Sequence, residues 1–168
     1  TGEQVQGGGT AGYYGCGVLK STNGGLTWTQ LGATIWDRPG RAGAMIARIA
    51  IGGGRILVAS DAGLHRSTNG GASWTEVAAG FWSDVVMDPT DPNVLWAGAM
   101  NDGVYKSTDG GVTFQRLSQG LPSANATNRV NLAVSPSAPN TVYAAVVEAD
   151  GVLELEGLFR TTDGGATW

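Results

Sequence analysis

The residues of this 168-residue sequence whose side chains could act on a substrate are few and scattered. Three aspartates draw attention by position: Asp37 beside Trp36, Asp61 in the run VASDAGLHRS, and Asp102 in MNDGVYKS. Two carboxylates facing one scissile bond can serve as general acid and general base, so these three are the catalytic candidates if the chain is a hydrolase. His65 is the only histidine and Cys16 the only cysteine, so a Ser-His-Asp triad or a His/Cys metal site would rest on one residue each. Glu148, Asp150, Glu154 and Glu156 crowd the stretch 147–157 without the spacing of a calcium-binding loop and read as solvated loop charge. No metal and no cofactor is expected.

The wider composition narrows the classes further. A net charge of -4 with no cluster of Lys or Arg leaves no electrostatic footprint for nucleic acid phosphates. No apolar run is long enough to span a bilayer, and TGEQVQGGG lacks the regions of a signal peptide. Few charges and many Thr, Asn, Gly and Trp suit an exported protein. The 28 glycines point to many short strands joined by tight turns.

Those strands are set out by a repeat. GVLKSTNGGLTW at 17–28 returns as GLHRSTNGGASW at 63–74, GVYKSTDGGVTF at 103–114 and GLFRTTDGGATW at 157–168. Ser21, Ser67, Ser107 and Thr161 are 46, 40 and 54 residues apart, the period of a four-stranded propeller blade. Within each copy, Asn23, Asn69, Asp109 or Asp163 can fold its side-chain oxygen onto backbone N–H groups. The pairs ending in Gly25, Gly71, Gly111 and Gly165 allow positive φ. Trp28, Trp74, Phe114 and Trp168 then start the next strand and are expected to cover the turn. His65 falls where the other copies have Leu19, Tyr105 and Phe159, which makes it a packing residue.

These residues resemble the Asp-box, S/T-x-D-x-G-x-T-W, of sialidases, sortilin-type receptors, xyloglucan-cleaving glycosidases and photosystem assembly factors. The resemblance covers all four copies. It implies a β-propeller in which each box sits at the outer turn between the third and fourth strands of a blade and is structural, so its Asx residues are not catalytic. Asp61 precedes a third strand much as the aspartate of R-T-D-x-G-G-x-Y-R does in the xyloglucan-cleaving enzymes. Here one residue is missing between Asp61 and Arg66, and Ala59-Ser60 stands in place of Arg-Thr. No F/Y-R-I-P segment of the sialidase kind is present.

The expected fold is therefore all-β, a propeller of four-stranded antiparallel blades with about four blades present. Blade one covers about 1–32 without its first strand, blade two 45–79, blade three 82–120, and blade four 128–168, ending as its fourth strand begins. WSDVVMDP with NVLWAGAM, and RVNLAVSP with TVYAAVVE, read as first and second strands. An open stack would expose an apolar face and an unpaired edge. The remaining blades are thus expected from the same chain or another, with a closed four-bladed ring as the weaker alternative.

The irregular connections collect at the end opposite the repeated turns, which makes that end the expected binding face. It carries Glu3, Tyr13 and Tyr14, then Trp36, Arg38 and Arg41, then Phe81, Trp82 and Asp84, with Asn101 from a tight turn. Aromatic rings beside carboxylates and arginines suit a glycan or a protein partner. Two functions follow: an exported, noncatalytic platform binding a glycan or protein, or a xyloglucanase-like glycoside hydrolase of which this is a fragment.

Overall fold

The computed structural model describes residues 15–37, 43–148 and 154–168. Its strands form four antiparallel sheets, each built from sequence neighbours in order. The first pairs β1 (Val18–Lys20) with β2 (Thr29–Leu31). The second runs β3 (Ile46–Gly52), β4 (Arg55–Ser60), β5 (Gly63–Ser67), β6 (Thr75–Ala78). The third runs β7 (Trp82–Met87), β8 (Leu95–Ala99), β9 (Gly103–Ser107), β10 (Gln115–Arg116), and the fourth β11 (Thr127–Ser135), β12 (Ala138–Glu148), β13 (Leu155–Thr161). A one-turn helix, α1 (Ala33–Trp36), lies between the first two sheets.

These sheets stack face to face as successive blades of a β-propeller. In a two-sided sheet with one wet face, apolar and polar residues alternate; in a blade held between two others both faces are covered. Every residue of β8 is accordingly buried, as are the first five of β7. Leu57, Leu64 and Ala59 of the second sheet pack with Val85, Leu95 and Ala97 of the third. The opposite face of the third sheet sets Val86, Trp96 and Val104 against Val130, Leu132, Val142 and Val146 of the fourth. Val18 and Trp36 close on Ile46 and Val58 at the first seam.

The repeated turns hold themselves together locally. In the corner after β9, Ser107 Oγ accepts the Gly111 N–H at 2.9 Å and donates to Asp109 Oδ1 at 2.7 Å. Asp109 in turn accepts the Thr113 N–H at 3.0 Å and the Thr113 hydroxyl at 2.6 Å. The same pattern joins Ser21 with Asn23, Gly25 and Thr27, Ser67 with Asn69, Gly71 and Ser73, and Thr161 with Asp163, Gly165 and Thr167. Both glycines of the corner take positive φ, 73° at Gly110 and 78° at Gly111, which a Cβ would strain. The Trp28 ring lies over its turn, its Nε1–H donating to Gly25 O at 3.0 Å.

The innermost strands β3, β7 and β11 run side by side, each with a bulge near its start. The strand directions put all four corners at one end. The turns β4–β5 and β8–β9 and the connections β2–β3, β6–β7 and β10–β11 lie at the other.

Candidate functional site

At that second end the first connection is a plug. Gly32, at φ 64°, starts α1 and turns Trp36 inward, where it is fully buried. Its indole Nε1–H reaches Ser60 Oγ at 3.2 Å, and its rings meet His65 and Trp74 edge-on at 5.4 and 4.9 Å. Trp36, expected among the ligand-facing residues, is instead core. His65 is 5% exposed beside it, and burial lowers its pKa. Asp37 stays exposed with Gln30 Nε2 at 3.3 Å. Asp61 fastens the same connection from the β4–β5 turn: its Oδ1 accepts the Met45 N–H at 2.9 Å and its own N–H donates to Met45 O at 3.2 Å. Glu3, Tyr13, Tyr14, Arg38 and Arg41 lie outside the described residues.

The second connection makes a cleft of about 290 Å³ between the second and third blades, walled by Phe81, Trp82, Met100, Asp102, Tyr105 and Phe114. Phe81 and Trp82 are expected binding-face residues and Asp102 a catalytic candidate; Tyr105 and the corner aromatic Phe114 complete the wall. Trp82 is its floor, 4% exposed, with Nε1–H on Ala79 O at 3.0 Å and Tyr105 and Phe114 against its ring at 5.1 and 6.1 Å. It supports the cleft from within and does not project from the loop. Asn101 sits exposed at the rim, held at φ 58° while its N–H donates to Asn128 O at 2.8 Å.

Polar groups converge at one side of this cleft. Arg116 on β10 grips the β8–β9 turn: Nε lies 3.0 Å from Asp102 Oδ1 and Nη2 2.7 Å from Asp102 O. The Tyr105 hydroxyl donates to Asp102 Oδ2. Burial, reinforced by that hydrogen bond, pushes the Tyr105 phenol up to about 12, so it stays a neutral donor. Arg116 went unnoticed in the sequence, although Asp102, Tyr105 and Arg116 are legible as a turn residue and two strand residues that pair across β9 and β10.

A fourth aspartate lies deeper. Asp84 on β7 is 2% exposed; Oδ2 accepts the Leu132 N–H at 2.8 Å and Oδ1 the Val85 N–H at 2.8 Å, with Arg48 Nε 3.7 Å away. Burial raises its pKa against the pull of those donors. Beside it, Ser83 Oγ donates to Val130 O at 2.8 Å. Both side chains tie the third blade to the fourth. A groove of about 340 Å³ along β3, β7 and β11 is otherwise aliphatic, with Arg48 as its charged lining residue.

The arrangement thus offers aromatic faces, a phenol oxygen able to accept, and an ion pair around a cleft, while one oxygen of Asp61 and both oxygens of Asp84 and of Asp102 accept from neighbouring groups. That suits stacking and hydrogen bonding to a hydroxyl-rich ring. Among the described residues no group of three or more His, Cys, Asp or Glu is placed to hold a metal ion.

Set beside known proteins, the described sheets match the blades of solved β-propellers. An ancestral GH74 enzyme superposes with a TM-score of 0.70 at 26% identity, covering 91% of this chain and 21% of that one. The GH74 xyloglucanase from Xanthomonas campestris gives a TM-score of 0.59 at 19% identity over 83% of this chain and 23% of that one, a likeness of fold. In sequence, a probable oligoxyloglucan-reducing end-specific xyloglucanase of Neosartorya fischeri is 35% identical over 94 residues, 50% of this chain and 11% of that protein. No family model matches the chain. The chain therefore spans about a tenth of the length of that curated relative and about a fifth of the solved enzymes.

Proposed function

We propose that this chain is part of a larger, exported Asp-box propeller of the xyloglucanase kind, and that its blades contribute a glycan-contacting cleft and scaffold without the catalytic carboxylates. The observation that carries the reading is the cleft walled by Phe81, Trp82, Tyr105 and Phe114 with the Asp102–Arg116 pair at its edge. Rings take the C–H faces of a sugar, and the neighbouring polar groups take its hydroxyls. The 35% identity to a probable oligoxyloglucan-reducing end-specific xyloglucanase over 50% of the chain supports a xyloglucan, a β-glucan, as the glycan. The chain's 21% share of the ancestral GH74 enzyme supports a larger ring.

The noncatalytic half of the reading rests on how Asp61 and Asp102 are used. Each holds a turn in place, Asp61 through Met45 and Asp102 through Arg116 and Tyr105. The test is xyloglucan cleavage by the full-length polypeptide. Asp61→Ala and Asp102→Ala are expected to leave kcat within about tenfold of wild type, since neither is asked to stabilise the transition state. A loss of about a thousandfold or more in either variant, with folding intact, would make that aspartate catalytic. A polypeptide that neither cleaves nor binds β-glucans would remove the glycan assignment altogether.

A further inference from the structure

The seams between blades repeat one polar latch. The cation that closes the third strand of each blade reaches the corner of the next. Lys20 Nζ donates to Gly70 O at 3.0 Å, Arg66 Nε to Gly110 O at 2.7 Å, and Lys106 Nζ to Gly164 O at 2.6 Å. Each cation stands immediately before the Ser of its own corner, and each acceptor is the first glycine of the following corner. A charged donor on an unpaired carbonyl makes a strong hydrogen bond. Beside each latch, an apolar side chain of the earlier blade fills the space over the second glycine. A Cβ would stand 2.5 Å from Leu31 Cδ1 at Gly71, 2.6 Å from Leu57 Cδ2 at Gly111, and 3.0 Å from Leu117 Cδ1 at Gly165. The glycine pair therefore serves the seam as well as the turn.

The strand registers carry this recipe to one further face. Ala50, Leu57, Ala59, Leu64 and Arg66 align across β3, β4 and β5, and Val86, Trp96, Gly98, Val104 and Lys106 across β7, β8 and β9. The same five positions on β11, β12 and β13 are Ala133, Tyr143, Ala145, Leu158 and Arg160. Leu57 and Leu64 are 0% exposed and Trp96 and Val104 1%, each pair covered by the next blade. On the fourth blade Leu158 is 66% and Tyr143 37% exposed. Arg160 is exposed, and no described group accepts from it.

We infer that this face of the fourth blade docks a following blade of the same polypeptide, whose Asx-Gly-Gly corner takes Arg160 as its latch. The inference rests on the reading of the chain as part of a larger propeller. It follows from continuity with three seams that share its pattern of small, large and cationic residues. A second copy of the chain is the poorer occupant. It would offer the Gly24 carbonyl, which receives no described cation, but among the described residues its first blade presents only β1 and β2 and no inner strand to lie beside β11.

Cysteine labelling of the full-length polypeptide tests this, with Leu158→Cys placed in a Cys16→Ser background and Tyr143→Cys as a second probe should the first not fold. The docked face predicts labelling at least about tenfold slower than in the urea-unfolded polypeptide, with Arg160→Glu removing most of that protection. Labelling at the unfolded rate overturns the docking, and protection untouched by Arg160→Glu overturns the latch. Protection that rises with protein concentration assigns the face to a second copy and overturns the inference as stated. Protection found in a polypeptide that binds no β-glucan upholds the docked blade while removing only the glycan assignment.

Discussion

Asp84 Oδ2 on β7 accepts the backbone N–H of Leu132 on β11 at 2.8 Å, so one buried carboxylate joins the inner strands of two blades. Beside it Ser83 makes a second bond to Val130, and the bulge between Trp82 and Asp84 turns both side chains toward the seam. Asp84→Ala leaves a buried N–H without a partner, which costs about 2 kcal/mol. Urea unfolding is expected to show that loss, with the Asp84→Ala, Ser83→Ala double variant below either single one. An unchanged midpoint for Asp84→Ala would contradict the stapling role.

The corners should give the protein an acid limb. Asp109 and Asp163 are held below the ordinary carboxylate range, Asp109 chiefly by the Thr113 hydroxyl and Asp163 by that of Thr161. A depressed folded pKa contributes stability that is complete above the unfolded value of 3.8 and is lost as pH falls below it toward the folded pKa. Asn23 and Asn69 do the same job without titrating. Asp109→Asn with Asp163→Asn is therefore expected to flatten the fall in thermal midpoint below about pH 4 while changing it little at pH 7. An equally steep fall in the double variant would place the acid sensitivity elsewhere.

Trp36 should behave as core. It is fully buried among His65, Trp74 and Ser60, and Trp36→Ala is expected to cost about 3–5 kcal/mol by thermal or urea unfolding. A cost below about 1 kcal/mol, with lost ligand binding in its place, would return Trp36 to the binding face.

Arg116 should matter through the turn it holds. Arg116→Ala removes the grip on Asp102 O and Oδ1, and faster amide exchange across 100–103 is expected with the rest of the third blade unaltered. Unchanged exchange there would mean that the turn needs no support from β10.

What could be read from the chain alone follows the range of the interactions. The corners were legible because the bonds that the Ser107 and Asp109 side chains make to Gly111 and Thr113 fall within seven consecutive residues. The alternation in RVNLAVSP likewise marks β11, where Val130 and Leu132 are buried and Asn131 and Ala133 exposed. The loop aromatics were harder, because a neighbouring blade decides their exposure. Trp36 and Trp82 carry no local sign that His65 in one case, and Tyr105 and Phe114 in the other, will close over them. Asp84 was read as a loop group for the same reason: its partner Leu132 lies 48 residues away.

The Phe81–Tyr105 cleft is expected to take a glycan. Calorimetric titration of a xyloglucan oligosaccharide into the full-length polypeptide tests it most directly. Saturable binding is predicted, weakened at least about tenfold by Phe81→Ala together with Tyr105→Ala. Absence of binding, or an affinity that the double substitution leaves unchanged in a folded protein, would contradict it.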